Sequence, residues 1–166
     1  METVYIGIGS NLGDRLANLG EAIRRMGDVK GIRVAEVSGF YETEPEGGPA
    51  QPRYMNGVAR IETDIEPEEL LGELKNVERA MGRKPVPERN LPREIDLDIL
   101  LYGRRVVDTD ALKIPHPKMH ERAFVLKGLC EISPEVRHPV TGMTAEEIFK
   151  ILDKSGLCPK RDRSQA

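Results

Sequence analysis

Residues 93–101 have the sequence REIDLDILL, in which two carboxylates alternate with branched apolar residues. The alternation predicts a β-strand, because successive side chains of a strand point to opposite faces. On such a strand Asp96 and Asp98 share one face, with their Cα atoms roughly 7 Å apart, and the apolar residues share the other. This stretch therefore determines where two acidic side chains stand together in the fold.

The acidic pair predicts a binding site for a divalent cation. The apolar character continues through Leu100 and Leu101, and two like charges beside apolar cover are costly unless something neutralises them. Mg²⁺ prefers oxygen ligands and is typically held by one or two carboxylates together with substrate phosphates. The alternative is a pair of solvated acids that form ion pairs with Arg93 or Arg104, which is the commoner fate of an isolated Asp-x-Asp.

The segment before this strand is predicted to be a cationic loop. Residues 82–93 have the sequence GRKPVPERNLPR, with four cations and three prolines. Proline does not fit a helix interior or a central strand. Arginine suits phosphate oxygens, so a cationic loop beside a Mg²⁺ site is a reasonable clamp for a polyphosphate. A solvated charged loop is the alternative.

Composition limits the classes of protein. The chain has 166 residues, of which 39% are hydrophobic, and its formal net charge is −3 from 25 basic and 28 acidic side chains. This size predicts a single domain, which we place at residues 1–157, followed by a disordered tail at 158–166. The sequence predicts no basic surface with interleaved aromatic residues, so nucleic acid is not an expected partner.

The sequence also indicates a cellular location. Cys130 and Cys158 form no CxxC motif, and the absence of a disulfide framework fits a reducing compartment. The first residues, METVY, form the start of a predicted strand without a basic region or a long apolar run. Secretion and membrane insertion are therefore not expected, and we predict a cytoplasmic protein.

The order of the predicted elements is βαββαβ, which is typical of a ferredoxin-like α+β sandwich with helices on one side of an antiparallel sheet. Two additional C-terminal helices are expected, the second at a capping box made by Thr144 and Glu147. Val106 and Val107 are expected to pair across Gly103 with the acidic strand. The predicted strands are residues 3–8, 32–41, 54–63 and the acidic strand, and the predicted helices begin near Asp14, Pro67, Ala123 and Thr144.

Two other motifs do not support a cofactor. GIGSNLG at residues 7–13 lacks the third glycine of the dinucleotide fingerprint, so a tight strand-to-helix turn is favoured. His116 and His120 are four residues apart, but Pro117 argues against a helical zinc pair. His116 is compatible either with an anion site shared with Arg122 and the cationic loop or with a surface turn.

Five short motifs occur in order along the chain: FYETEP at 40–45, QPRYMN at 51–56, GR at 82–83, PREIDLDI at 92–99 and PHP at 115–117. Together they strongly resemble the 6-hydroxymethyl-7,8-dihydropterin pyrophosphokinase family of folate biosynthesis, from Tyr5 to about Leu152. The resemblance implies a ferredoxin-like fold. It also implies transfer of the β,γ-diphosphate of ATP to the hydroxymethyl group of the dihydropterin, with release of AMP.

The resemblance implies roles for individual residues. Asp96 and Asp98 match an acidic pair that holds two Mg²⁺ ions against the triphosphate, and Arg83 and Arg93 match catalytic arginines that contact phosphate. The positions that match the family's ATP site are Arg83, Arg93, Ile99, His116 and Arg122, and those that match its pterin site are Thr43, Pro45, Tyr54, Asn56 and Phe124. A monomer is expected, with ATP and 6-hydroxymethyl-7,8-dihydropterin as its small-molecule partners.

The sequence leaves alternatives for the roles of some residues and for the class of protein. Glu78 matches a family acid near the site but equally fits a salt bridge on a helix surface. Asn90 stands where many relatives have tryptophan and Pro117 where some have tyrosine, so closure of the loop at 84–92 over ATP is expected to depend on the flanking arginines. The alternative classes are a ligand-binding module without chemistry and a nucleotidyltransferase or ordinary kinase. The nucleotide product separates diphosphate transfer, which gives AMP, from single phosphoryl transfer, which gives ADP.

Overall fold

The computed structural model describes residues 1–84 and 91–154, and within these ranges the chain forms seven strands and four α-helices. The strands are β1 (Glu2–Ser10), β2 (Ile32–Val37), β3 (Tyr41–Thr43), β4 (Tyr54–Thr63), β5 (Asp96–Tyr102), β6 (Val107–Asp108) and β7 (Lys113–Ile114). The helices are α1 (Arg15–Asp28), α2 (Pro67–Ala80), α3 (Ala123–Ile132) and α4 (Ala145–Lys154). None of the described helices is long and apolar enough to span a membrane. The predictions for Asn90, for closure of the loop over ATP and for the tail at 158–166 fall outside the described residues.

Five of the described strands form one antiparallel sheet. β1 lies between β4 and β5, β2 pairs with the far side of β4, and the short β3 pairs with the start of β4. The β1–β4 ladder runs from Glu2 opposite Thr63 to Ser10 opposite Met55. The predicted combination of helices with an antiparallel sheet is confirmed.

One face of this sheet is covered by α1 and α2. β1 contributes Val4, Ile6 and Ile8 to the buried core, because alternate residues of a strand share a face. The two helices present apolar residues at helical spacing to the same face. Their buried core residues are Leu19, Ala22, Met26, Leu70, Leu74 and Val77.

The opposite face is covered by α3 over only part of its area. Val125 and Leu129 of α3 pack with Tyr5 of β1 and Val58 of β4. The expectation of helices on one side of the sheet, made for the βαββαβ unit, fits α1 and α2, whereas the additional helix α3 lies on the other face. The apolar stripe of α3 needs a second apolar surface, and the reverse face of the sheet provides it.

A β-bulge in β5 changes the faces of its side chains. Tyr5 pairs with Leu101 but the next residue of β1 pairs with Ile99, so Leu100 is an extra residue in β5. As a result Leu100 and Leu101 both pack in the cluster under α3. The carbonyl of Leu100 accepts a hydrogen bond from the backbone N–H of His116 at 2.9 Å, which ties the segment after β7 to this strand.

Two details of the predicted strands are wrong. The single strand expected at 32–41 is split into β2 and β3, because Ser38 leaves the regular ladder and its hydroxyl accepts the N–H of Val58 at 2.9 Å. β6 pairs with β7 and not with the acidic strand. The backbone N–H of Thr109 donates to the carbonyl of Leu112 at 2.9 Å and closes the turn between these two strands.

Side-chain caps confirm two of the predicted helix starts, those of α1 and α4. The carboxylate of Asp14 accepts the N–H of Ala17 at 3.1 Å at the start of α1. At the start of α4 the Thr144 hydroxyl accepts the N–H of Glu147 at 3.1 Å, and the Glu147 carboxylate accepts the N–H of Thr144 at 3.0 Å. This reciprocal pair is the capping box that the sequence predicts.

α3 approaches β4 so closely at Gly128 that a methyl group does not fit, since a Cβ there would lie 2.7 Å from Cγ2 of Val58. Gly128→Ala should lower the free energy of unfolding by about 1–3 kcal/mol, because helix and strand have to move apart. Gly72→Ala is the matched control, as Gly72 is a helical glycine with open space at its Cβ. It should raise the free energy of unfolding by up to about 1 kcal/mol. Urea unfolding measures both, and parental stability of Gly128→Ala would contradict the tight contact.

Candidate active site

The part of the sheet that α3 leaves open forms a pocket. Gly7 and Gly9 of β1 are its floor, because they place no side chain above the sheet. The start of α3 and the loop between β3 and β4 form its walls. The predicted site residues that line it are Thr43, Pro45, Tyr54, Asn56, Arg93, Asp96, Asp98, Arg122 and Phe124. One pocket therefore brings together most of the residues that the sequence selects.

Asp96 and Asp98 both face this pocket, as the alternation of β5 predicts. Oδ1 of Asp96 lies 2.9 Å from Nη1 of Arg83 and 3.2 Å from Nη1 of Arg93. Oδ2 of Asp98 lies 4.0 Å from Nη1 of Arg122. The ion pair with Arg93 that the alternative interpretation expects is present, but it lies in a pocket and not on an open surface.

The electrostatics of the acidic pair suit a cation. Burial, followed by the charge of Asp96, raises the pKa of Asp98 to about 7, while Arg122 opposes the shift. Because 38% of the Asp98 side chain is still exposed, a ligand can reach its carboxylate. Within residues 1–84 and 91–154, no group of three or more His, Cys, Asp or Glu side chains is placed to hold a metal. Two carboxylates alone fit Mg²⁺, which keeps several waters and completes its shell with phosphate oxygens.

Glu78 on α2 supports the acidic pair from below. Its side chain is only 5% exposed, so the alternative of a salt bridge on the helix surface is wrong. Oε1 of Glu78 accepts the backbone N–H of Leu97 at 2.8 Å and lies 2.6 Å from Nη1 of Arg83. Burial raises the pKa of Glu78, and the hydrogen bond from Leu97 and the charge of Arg83 oppose this shift. Glu78 is a positioning residue, because it holds the guanidinium that contacts Asp96.

Asn56 on β4 forms the other end of the pocket, across β1 from the acidic pair, since Asn56 and Asp96 both stand opposite Gly9. Its Nδ2 donates to the hydroxyl of Thr43 at 2.6 Å, and its side chain is almost fully buried. A Cβ at Gly9 would lie 2.5 Å from Oδ1 of Asn56, so only glycine at this position leaves room for the amide. Sequence reasoning assigned the glycines of residues 7–13 to a turn, although their spacing of two on a strand face was a readable signal of an open floor.

Two aromatic side chains also border the pocket. Tyr54 and Phe124 both line the pocket, and the guanidinium of Arg122 lies 5.9 Å from the centre of the Phe124 ring. Burial, followed by the charge of Asp96, raises the pKa of the Tyr54 hydroxyl. The pocket thus has flat apolar surfaces close to a hydrogen-bonding amide.

Asn11 connects the two ends of the pocket, and sequence reasoning missed it. Its backbone N–H donates to the carbonyl of Arg93 at 3.1 Å, and its Oδ1 accepts the N–H of Arg93 at 2.8 Å. Its Nδ2 donates to Oε1 of Gln51 at 2.8 Å and to the carbonyl of Pro52 at 3.1 Å. No periodic pattern marks such a residue, because all its side-chain partners are distant in sequence.

Three predicted ATP residues, Arg83, Ile99 and His116, do not line this pocket. The side chain of Ile99 is buried in the core under α1 and α2, so its predicted contact with adenine would have to use the backbone. Nδ1 of His116 accepts the N–H of Lys118 at 3.1 Å. Burial, followed by the charge of Arg122, lowers the pKa of His116 to about 4, so the imidazole is neutral at pH 7. Arg83 contacts the site through Asp96.

Comparison with known proteins gives a consistent result. The model of the 7,8-dihydro-6-hydroxymethylpterin-pyrophosphokinase family matches residues 5–134. The 2-amino-4-hydroxy-6-hydroxymethyldihydropteridine pyrophosphokinase of Aquifex aeolicus is 41% identical over 140 residues, which cover 84% of this chain and 86% of that protein. The protein of the same name from Haemophilus influenzae is 37% identical, and the match covers 92% of this chain and 95% of that protein.

Some similar proteins are much longer. The folic acid synthesis protein fol1 of Pneumocystis carinii is 45% identical over 92% of this chain, but the chain spans only 20% of its length. A crystal structure described as HPPK-DHPS in complex with substrates has the same fold, with a TM-score of 0.72 at 14% identity, over 93% of this chain and 44% of that chain. The chain thus spans a fifth to a half of these relatives and most of the bacterial ones.

The buried carboxylate of Glu78 should contribute strongly to stability. Glu78→Ala should lower the free energy of unfolding by about 2–4 kcal/mol, because the N–H of Leu97 and the guanidinium of Arg83 lose a buried acceptor. Glu78→Gln keeps an acceptor and should lose less. Glu69→Ala, at an exposed position of the same helix, should cost less than about 1 kcal/mol. Urea unfolding at pH 7 compares the variants, and equal stability of Glu78→Ala and Glu69→Ala would contradict the assignment.

Proposed function

The chain belongs to the 7,8-dihydro-6-hydroxymethylpterin-pyrophosphokinase family, and on this premise we propose that it transfers the diphosphate of ATP to 6-hydroxymethyl-7,8-dihydropterin. One observation carries the proposal. A single pocket has Asp96 and Asp98 of β5 with Arg93 at its charged end and Tyr54 and Asn56 of β4 at the other, because β1 lies between these two strands. Such a pocket suits a reaction that joins a polyphosphate to a flat heterocycle.

At the charged end the hydroxymethyl oxygen of the pterin would attack the β-phosphorus of ATP. A bond forms between these two atoms, and the bond from the β-phosphorus to the oxygen that bridges to the α-phosphorus breaks. AMP leaves with that electron pair, and the hydroxyl proton is lost. Arg83, Arg93 and Arg122 would bind phosphate oxygens by charge-assisted hydrogen bonds, because this chemistry depends mainly on positioning and charge neutralisation.

Asp96 and Asp98 would hold two Mg²⁺ ions. Bound ions of this kind neutralise phosphate charge and stabilise the attacking and leaving oxygens together. The raised pKa of Asp98 supports this assignment, since a carboxylate that is costly to ionise by itself gains from a nearby cation. Arg83 and Arg93 both contact Asp96, so their guanidinium groups lie where they could bind phosphate oxygens beside these ions.

At the other end the pterin ring would lie beside Tyr54 and Phe124, whose flat faces suit stacking. The Asn56 amide can donate and accept hydrogen bonds at the edge of the heterocycle. The contact of its Nδ2 with Thr43 supports a fixed orientation of the amide. Gly9 would keep the floor open below the ring.

The remaining expectations belong to the same proposal. The strand order β2-β4-β1-β5 with both connecting helices on one face supports a ferredoxin-like sandwich. The two sides of one sheet carry the main clusters, which supports a single domain at 1–157. A cytoplasmic monomer that binds only small molecules completes the proposal. Its support is the composition, with a net charge of −3 and no CxxC motif.

The product of the reaction tests the proposal directly. Incubation with ATP, 6-hydroxymethyl-7,8-dihydropterin and Mg²⁺ should give AMP and the pterin diphosphate in equal amounts, resolved by chromatography. Asp96→Asn and Asp98→Asn should each lower turnover by about 100-fold or more, because loss of metal positioning raises the activation barrier by several kcal/mol. Asp110→Asn, at an exposed position after β6, should keep parental turnover. ADP as the product, or parental turnover of either site variant, would refute the mechanism.

Asn56 separates the two substrates. Asn56→Ala should weaken binding of the dihydropterin by about tenfold or more, since loss of a buried hydrogen-bonding partner costs about 1–3 kcal/mol. The affinity for ATP without pterin should stay parental, because the charged end of the pocket is intact. Titration calorimetry measures both affinities, with Asn76→Ala on the exposed face of α2 as the control. Equal weakening of the binding of both ligands would contradict the assignment of Asn56 to the pterin.

A further inference from the structure

Arg122 is already occupied by a carboxylate from the protein. Nη2 of Arg122 lies 2.9 Å from Oε2 of Glu46, which is closer than the 4.0 Å between Nη1 of Arg122 and Oδ2 of Asp98. The Arg122 side chain is only 19% exposed, and its Nε is buried without a hydrogen-bond partner among the described residues. Glu46 therefore supplies the main anionic contact of this guanidinium.

Glu46 comes from the loop between β3 and β4, which has other anchors. The carboxylate of Glu42 lies 2.9 Å from Arg15, and Gln51 accepts a hydrogen bond from Asn11 at 2.8 Å. The Glu46 side chain is 49% exposed and lines the pocket. Because the loop is held at both ends without it, Glu46 can leave Arg122 without unfolding the loop.

We propose that Glu46 is an internal competitor of the substrate triphosphate: its carboxylate occupies Arg122 in the free protein, and ATP has to displace it. The proposal rests on the proposed function, in which Arg122 binds phosphate. A guanidinium presents the same donors to a carboxylate and to a phosphate, so both anions compete for one position. The displaced carboxylate would lie close to Asp98 and to the bound phosphates, which opposes ATP binding further.

This competition lowers the affinity for ATP and keeps the arginine neutralised while the site is empty. Arg83 and Arg93 have Asp96 as a partner in the same way. Asp96, however, is part of the predicted metal site, whereas Glu46 has no place in the proposed reaction. Removing Glu46 should therefore improve phosphate binding, whereas removing Asp96 should impair it.

Titration calorimetry without pterin tests the proposal, with inorganic tripolyphosphate and with ATP plus Mg²⁺ as probes. Glu46→Gln should bind both probes about two- to fivefold more tightly at low salt, as expected for loss of a partly exposed ion pair. The gain should shrink at high salt because the competing charges are screened. Glu42→Gln is the matched control: it removes one negative charge from the carboxylate that pairs with Arg15, and it should bind both probes with parental affinity. In an Arg122→Ala background, Glu46→Gln should give a smaller gain, because only the charge repulsion between Glu46 and the phosphates is then removed.

Three results would overturn the inference: parental affinity of Glu46→Gln, an equal gain in Glu42→Gln, or an undiminished gain in the Arg122→Ala background. The second would indicate a general effect of net charge, and the third an effect that bypasses Arg122. The AMP assay on the parental protein judges the proposed function separately. If the parent forms AMP and Glu46→Gln shows no gain, only the inference fails, and if the parent forms no AMP, the proposed function fails.

Discussion

The two faces of β1 are the constraint on which the rest of the structure depends. Val4, Ile6 and Ile8 point to one face and are buried under α1 and α2. The alternate residues Tyr5, Gly7 and Gly9 point to the other face, where α3 covers Tyr5 and the two glycines leave the sheet open. Because β1 is hydrogen-bonded on both sides, the bare patch is supported by β4 and β5 and does not collapse. A rigid apolar core and an open pocket are thus two sides of one strand.

Charge compensation is the second requirement of this pocket. Asp96, Asp98 and Glu78 are acids in a poorly solvated region, and buried charges are tolerated only with partners. Arg83 serves two of them, because Nη1 lies 2.6 Å from Glu78 and 2.9 Å from Asp96. One guanidinium group, that of Arg83, therefore contacts two carboxylates. Asp98 has a more distant partner, since its Oδ2 lies 4.0 Å from Nη1 of Arg122. The residual negative charge lies where the proposed reaction requires a metal.

The sequence pattern predicted those features that depend on residues close together in the chain. The alternation of β5 predicted that Asp96 and Asp98 share a face, and a capping box between two residues three positions apart predicted the start of α4. Glu46 and Asn11 were not predictable, because their partners Arg122 and Gln51 lie 76 and 40 residues away. An apolar stripe likewise shows that α3 needs cover but does not say which face of the sheet provides it. The family resemblance supplied the long-range groupings that periodicity does not contain.

The bulge at Leu100 changes which side chains of β5 face each side of the sheet. Before it, even-numbered side chains face the pocket, and after it Leu101 faces α3 while Tyr102 is buried in the core under α1 and α2. The hydroxyl of Tyr102 donates to the carbonyl of Ile65 at 2.5 Å, which anchors the end of the strand. In a regular ladder that kept every residue of β5, either the acidic pair or Tyr102 would point to the opposite face. A graft of the whole strand into another sheet therefore has to keep the bulge, because the same sequence in a regular ladder cannot direct both the acidic pair and Tyr102 to their present faces.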